Sequence, residues 1–92
     1  MRILISFPIS KGFDAWLDIQ DELKPTMLEL GIKMVWAGSD PEETKVYEII
    51  DIDDQSVIKE YQERENVKAA RTAGGVSGVA SVITQIIKEH WS

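Results

Sequence analysis

The stretch from Leu30 to Ile52 is the part of this sequence that most limits the possible folds. It contains two runs rich in β-branched and aromatic residues with the polar segment GSDPEE between them, a pattern that predicts two strands joined as a hairpin. The first run alternates Ile32, Met34 and Trp36 with Lys33, Val35 and Ala37. A strand with one face in water alternates between apolar and polar residues, so this run predicts a strand covered on both faces.

The return run, from about Lys45 to Ile52, has the same character. In this run Val46, Ile50 and Ile52 alternate with Tyr47, Ile49 and Asp51. A chain of 92 residues has helices enough to cover only one face of such a sheet. We therefore predict that a second copy of the protein covers the other face, which makes the protein a homodimer.

The composition narrows the classes of partner. The chain is long enough for one domain, residues 1–92, and it carries a net charge of −6 with a pI of about 4.6. Nucleic-acid binding requires clustered Lys and Arg residues, and the ten basic residues here are scattered, so we predict no nucleic-acid partner. No apolar run reaches the roughly 18 residues of a membrane span, and an acidic surface disfavours anionic membranes.

The sequence predicts neither a metal ion nor a cofactor. There are no cysteines, which excludes disulfides, thiol catalysis, Fe–S clusters and cysteine zinc sites and is compatible with the cytoplasmic location that we predict. Acidic residues cluster at 40–43 and 51–54, but neither cluster has the ligand spacing and central glycine of a calcium loop. The segment Gly74–Gly78 lacks the Gly-Lys-Ser/Thr ending of a nucleotide-binding loop.

The first half of the chain outside the hairpin predicts a strand and a long helix. The N-terminal run alternates as a strand and ends at Pro8, and no small-residue cleavage site of a signal peptide follows it. Ser10 is a candidate N-cap for a helix over about residues 11–29, whose apolar residues recur every three or four positions. We expect Pro25 to bend this helix and Gly31 to end it.

The second half predicts a broken helix and a last strand. Ser56 is among the candidate caps of the second helix, which we expect to break near residues 64–66, where the sequence is wholly polar. The β-branched run from Val79 to Lys88 predicts the last strand, with its even-numbered residues from 80 to 86 on one face. The order β-α-β-β-α-β is that of the ferredoxin-like α+β fold, a four-stranded antiparallel sheet with the helices on one face.

Several short motifs are spread along almost the whole chain. They are Gly12-Phe13-Asp14-Ala15-Trp16, Gly31-Ile32, Gly38-x-Asp40-Pro41, Val46-Tyr47-Glu48-Ile49-Ile50-Asp51 and Ala73-Gly74-Gly75-Val76. Together they resemble the dimeric α+β barrel superfamily, which includes antibiotic-biosynthesis monooxygenases and stress-responsive barrel proteins. The resemblance implies a homodimer with face-to-face sheets and a small-molecule cavity between the sheet and the helices of each subunit. It implies no particular reaction, because a fold alone does not fix a function.

Two functions are open on this basis. The first is a small dimeric barrel protein that binds a small apolar or aromatic molecule and has no recognisable catalytic set of residues. The alternative, implied by the superfamily, is a cofactor-independent monooxygenase-like enzyme that acts on an aromatic or dienol substrate.

Three residues are candidates for catalysis. His90 is the only histidine and the natural general base, although its position near the C-terminus favours an ordinary surface histidine. Tyr47 and Tyr61 are candidate hydrogen-bond donors to a ligand carbonyl, and the alternative is that each satisfies its hydroxyl at the edge of the core.

Three further residues are candidates for ligand binding. Trp16 and Trp36 are candidate walls for an aromatic ligand, with a role as core or interface anchors as the alternative. Arg71 can hold a carboxylate through two parallel hydrogen bonds, with a surface ion pair to Glu63 or Glu65 as the alternative.

Overall fold

The structure, a computed structural model, describes the whole chain from Met1 to Ser92. Its elements are, in order, β1 (Arg2–Pro8), α1 (Phe13–Glu29), β2 (Lys33–Ser39), β3 (Lys45–Asp51), α2 (Ser56–Glu63), α3 (Glu65–Ala73) and β4 (Ser81–Ile86). This order confirms the ferredoxin-like α+β fold, with the second helical region divided in two. None of the three helices combines the length and the apolar character that a membrane crossing requires.

The four strands form one antiparallel sheet in the order β2-β3-β1-β4. We call the face that the helices cover the inner face, and the opposite face the outer face. The buried apolar residues that the two central strands place on the inner face are Ile3, Ile5, Phe7, Val46 and Ile50. The core of the protein therefore lies between the inner face and the helices.

Helix α1 closes this core with one stripe of side chains. Its buried residues are Trp16, Ile19, Leu23 and Met27. They recur every three or four positions, as an amphipathic helix requires. Trp16 is only 1% exposed and packs between Phe7 and Phe13, with ring centroids 5.7 and 5.5 Å away. Burial of a large aromatic side chain contributes on the order of 3 kcal/mol.

The start of α1 differs from the prediction. Ser10 is not the N-cap, because the helix begins at Phe13 after Gly12, whose φ of 87° suits glycine. The backbone N–H of Phe13 donates to Oε1 of Glu43 at 2.9 Å, and the Ser10 hydroxyl donates to the carbonyl oxygen of Gly75. A carboxylate from the distant β2–β3 turn thus takes the place of a local cap.

The predicted break in the second helical region is confirmed at Arg64. Its backbone is extended (φ −64°, ψ 133°) between α2 and α3. Val67 and Ala70 of α3 are buried in a small cluster with Leu23 of α1. No residue of α2 is fully buried, so α2 is the least covered of the three helices.

Strand β2 contains a register shift that reverses its alternation. Met34 lies opposite Ile50, on the inner face, whereas Trp36 lies opposite Ile49, on the outer face. The prediction that Met34 and Trp36 share a face is therefore wrong. The physical reason is one additional residue, Val35, which forms a bulge that the sequence pattern does not reveal.

Strand β4 is shorter than predicted and contains a second irregularity. Val82 pairs with Ile5 and Thr84 with Leu4, so Ile83 is an additional residue between them. Since Ile5 is on the inner face and Leu4 on the outer face, Val82 and Thr84 lie on opposite faces. The prediction of one shared face for the even-numbered residues of this strand is wrong for the same reason as in β2.

The segment after β4 is held to the sheet by Arg2. The Arg2 guanidinium donates to both carboxylate oxygens of Asp51, at 2.7 and 2.8 Å, and to the Glu89 carboxylate at 2.8 and 3.0 Å. These hydrogen bonds raise the pKa of Arg2, with the bond to Asp51 as the largest cause, and they lower the pKa of Asp51. One side chain thus joins β1, β3 and the C-terminal segment.

Candidate functional site

A carboxylic acid lies in the core of the protein. Glu48 occupies the inner-face position between Val46 and Ile50 and pairs with Ile5 of the neighbouring strand. It is only 6% exposed, and its Oε2 atom is buried without a hydrogen-bond partner. Buried polar atoms in native proteins nearly always have a partner, so this atom identifies the surroundings of Glu48 as a candidate site.

Glu48 borders a cavity of about 40 Å³ between the inner face and the helices. The lining is mostly apolar, and its polar members are Gln20, Glu48, Tyr61, Gln62 and Arg71. Trp16 and Met27 of α1 and Phe7 of β1 form part of the apolar wall. An apolar enclosure with a few converging polar groups is typical of small-molecule sites.

Tyr61 and Arg71 reach the cavity from the two short helices. Tyr61 lies in the last turns of α2 and Arg71 in the last turn of α3, and both are half-buried. The Arg71 guanidinium lies 5.6 Å from the centroid of the Phe7 ring, a cation–π contact. Arg71 forms no ion pair with any carboxylate.

The electrostatics of the site follow from burial. Removal from water raises the pKa of Glu48 to about 7, and the positive charge of Arg71 opposes this rise. Burial also raises the pKa of Tyr61 to about 12, with the Glu48 charge adding to the effect. Burial lowers the pKa of Arg71. Near neutral pH the site therefore holds an acid that readily exchanges its proton, beside a phenol that keeps its own.

A larger groove adjoins the cavity. It has a volume of about 510 Å³ and lies between α2 and β4, where it is lined by Lys59, Val79 and Val82 among others. Ile58 and Gln62 of α2 line both the groove and the cavity. The cavity and the groove therefore share these two side chains as part of their walls.

The structure brings together three of the six candidate residues. Trp16, Tyr61 and Arg71 all line the cavity. Trp36 and Tyr47 lie on the outer face, so Trp36 cannot form a second wall of the cavity opposite Trp16. His90 is exposed in the segment after β4.

Glu48 is the site residue that the sequence reasoning missed. A signal was present, because Glu48 falls on the same side of the return strand as Val46, Ile50 and Ile52. A carboxylate in register with three apolar residues is a polar group at a core position. No group of three or more His, Asp or Glu side chains is placed to hold a metal ion.

The fold of the chain also occurs in a solved structure of another protein. The topology is that of a ferredoxin-like α+β protein. A solved structure with a similar fold is that of an L-rhamnose mutarotase from Formosa agariphila, which matches 98% of this chain and 99% of its own with a TM-score of 0.55 and 15% sequence identity. At this identity the likeness is one of fold alone. No protein-family model matches the chain, and no curated protein matches it in sequence.

Replacing Glu48 with Gln should raise the free energy of unfolding at about pH 8 and change it little at about pH 5. The folded protein keeps the Glu48 proton up to about pH 7, whereas the unfolded chain releases it near pH 4.5, so wild-type stability falls as the pH rises through this window. At about 1.4 kcal/mol for each pKa unit, the gain of the variant at the higher pH is about 3 kcal/mol. Urea unfolding of the wild type and the variant at the two pH values measures this gain in the free energy of unfolding.

The matched control is Glu60→Gln, which removes a carboxylate from the exposed surface of α2. Its effect on the free energy of unfolding should stay within about 0.5 kcal/mol at both pH values. If Glu48→Gln changed the free energy of unfolding by the same amount at both pH values, Glu48 would not be a buried carboxyl group that titrates in this range.

Proposed function

We propose that the protein binds a small molecule in the cavity beside Glu48, with a polar group of the ligand on Glu48 and its apolar part against Trp16 and Met27. The observation that carries this proposal is the buried Oε2 atom of Glu48, which has no partner within the protein. A ligand hydroxyl, carbonyl or amide that satisfied it would recover the free energy that an unpaired buried polar atom costs, about 1–3 kcal/mol.

The size of the cavity limits what binds without rearrangement. At roughly 10–15 Å³ for each water, a cavity of about 40 Å³ holds on the order of three water molecules. A larger ligand needs more space, and displacement of Ile58 and Gln62 would join the cavity to the adjoining groove of about 510 Å³. Both residues lie on α2, the helix with no fully buried residue, so this is the wall that moves at least cost.

Acetamide should bind in the cavity, because it presents both a donor and an acceptor on a four-atom frame. A ligand of this size is expected to have a Kd on the order of millimolar. The measurement is a two-dimensional NMR titration, in which shift changes should concentrate on the residues around Glu48 and on the Trp16 indole. Shift changes confined to the surface would contradict the proposal.

Two substitutions of the same kind separate the cavity from the surface. Ala80→Leu adds three carbons at a residue that lines the cavity and should abolish acetamide binding. Ala73→Leu makes the same change at an exposed position in the last turn of α3 and should leave binding unchanged. The dispersion of the NMR spectrum establishes that each variant is folded.

A second candidate function is proton transfer on a small hydroxylated ligand. What supports it is Glu48, since an acid whose pKa lies near 7 gives and takes a proton at neutral pH. The mutarotase of similar fold supplies a definite reaction to test. In mutarotation one group removes the proton of the anomeric hydroxyl and another protonates the ring oxygen as the C–O bond breaks. Reclosure of the ring reverses these transfers.

If the chain performs this reaction, it should accelerate the exchange between the α and β anomers of L-rhamnose. Glu48→Gln should reduce the acceleration about 100-fold, the lower range for loss of a general acid–base group. NMR magnetisation exchange between the two anomeric protons measures the rate, with Glu60→Gln as the control. A wild-type rate equal to that of buffer alone would remove this candidate and leave the binding proposal in place.

We also propose that the protein is a homodimer of the dimeric α+β barrel type, with the two outer faces packed together. The apolar side chains at outer-face positions include Leu4, Trp36, Tyr47, Ile49 and Ile86. No helix of the same chain covers them, and Trp36 is 50% exposed. Contiguous exposed apolar surface of this kind marks an interaction site, and two sheets pack well face to face. The monooxygenase-like alternative stays a prediction.

Ile49→Asp should convert the dimer to monomers. An uncompensated charge in a buried interface costs about 3 kcal/mol or more, which weakens association at least about 100-fold. Sedimentation analysis over a range of concentrations measures the change. Leu28→Asp, which places the same charge on an α1 residue that is 74% exposed, should leave the dimer intact. A wild-type chain that sediments as a monomer would overturn the proposed dimer.

A further inference from the structure

Arg71 is a cation near the core without a carboxylate partner. It is half-buried at the end of α3, with its guanidinium held over the Phe7 ring at 5.6 Å. The ion pairs of the protein involve Arg2, Lys59, Arg64 and Lys68, and none involves Arg71. Withdrawal of a charge from water is costly unless an opposite charge meets it, so the position of Arg71 favours an anion beside it.

Glu48 is the only carboxylate that lines the same cavity, and it does not pair with Arg71. The charged and titratable groups around it are Tyr61 from α2 and Arg71 from α3, while α1 and β1 contribute only uncharged side chains to the lining. With Glu48 protonated, the lining therefore carries one net positive charge, from Arg71. With Glu48 ionised, the two charges cancel.

We infer that the ligand of the cavity is a small monocarboxylate, whose carboxylate lies against the Arg71 guanidinium while the protonated Glu48 carboxyl donates a hydrogen bond to it. This inference rests on the proposed binding function and names the class of ligand. The forked guanidinium of arginine matches the two oxygens of a carboxylate. A carboxyl group that donates to a carboxylate forms a short, charge-assisted hydrogen bond, which provides the partner that the Glu48 side chain lacks within the protein.

The geometry of the cavity restricts the carboxylate to a short one. The volume of about 40 Å³ beside Glu48 accommodates the charged group and one or two carbons. Displacement of Ile58 and Gln62 would let further atoms extend toward the groove. The apolar walls formed by Trp16 and Met27 suit the hydrocarbon part of such a ligand.

Binding of the anion is consequently linked to protonation of Glu48. An ionised Glu48 repels the incoming carboxylate and cancels the attraction of Arg71. Since the competent form is the protonated one and its pKa is about 7, the apparent affinity should fall about thirtyfold between about pH 6 and pH 8.5. A neutral ligand of the same shape should bind with little dependence on pH.

Acetate and acetamide provide this comparison, because they have nearly the same shape and differ in charge. NMR titrations of the full chain with each probe, at about pH 6 and about pH 8.5, give four dissociation constants. At the lower pH acetate should bind about tenfold or more tightly than acetamide. At the higher pH the preference for acetate should disappear, because only its own affinity falls.

Substitutions identify the two groups responsible. Arg71→Gln should abolish the preference for acetate and retain acetamide binding, whereas Arg64→Gln, at a surface arginine that pairs with Glu29, should change neither. Glu48→Gln keeps a neutral donor at this position and should make acetate binding independent of pH. If Arg71→Gln is too unstable to measure, Arg71→Lys takes its place. This variant keeps the positive charge and loses the forked guanidinium, so it should preserve the preference for acetate but bind acetate more weakly.

The outcomes separate the two proposals. A preference for acetate that depends on pH and on Arg71 supports the inference. Binding of acetamide without a preference for acetate, or a preference unaffected by Arg71→Gln, overturns the monocarboxylate and leaves the binding site intact. If neither probe shifts the signals of the residues around Glu48, both the inference and the proposed function are wrong.

Discussion

The structure depends on the packing of α1 against the inner face of the sheet. Trp16, the largest fully buried side chain, fixes the distance between helix and sheet through its contacts with Phe7 and Phe13. This packing decides which side of β3 is buried. Because strand residues alternate between faces, burial of Val46 and Ile50 requires burial of Glu48 as well. The candidate site is thus a consequence of the core, not an addition at the surface.

Glu48 makes the core less stable than it would be with an uncharged residue at the same position. At neutral pH the protein partly ionises a group that has no protein partner for its Oε2 atom. Proteins that depart from a fully satisfied core commonly do so at functional sites. Tyr61 and Arg71 lie near Glu48 on the two short helices. The strands of the sheet thus form one wall of the site, and all three helices contribute to the other.

The sequence predicted most of the fold because the relevant signals are local. Periodicity placed α1 and the strands, and the polar run near Arg64 placed the break between α2 and α3. The bulges at Val35 and Ile83 were not predictable, since one inserted residue leaves composition and propensity unchanged. For the site, Tyr61, Trp16 and Arg71 were identified by type, but their convergence on Glu48 depends on tertiary packing. The separation of Trp36 from Trp16 follows from the bulge in β2.

The same two bulges have a consequence for how the protein behaves at high concentration. Strands β2 and β4 are the two edges of the sheet, and each contains an inserted residue that interrupts regular hydrogen bonding. A regular, exposed edge is a template on which further strands add to form fibrils. Because both edge strands are irregular, addition of strands from another molecule is disfavoured at either edge of the sheet. Association through the outer faces, as in the proposed dimer, closes after two copies rather than continuing without limit.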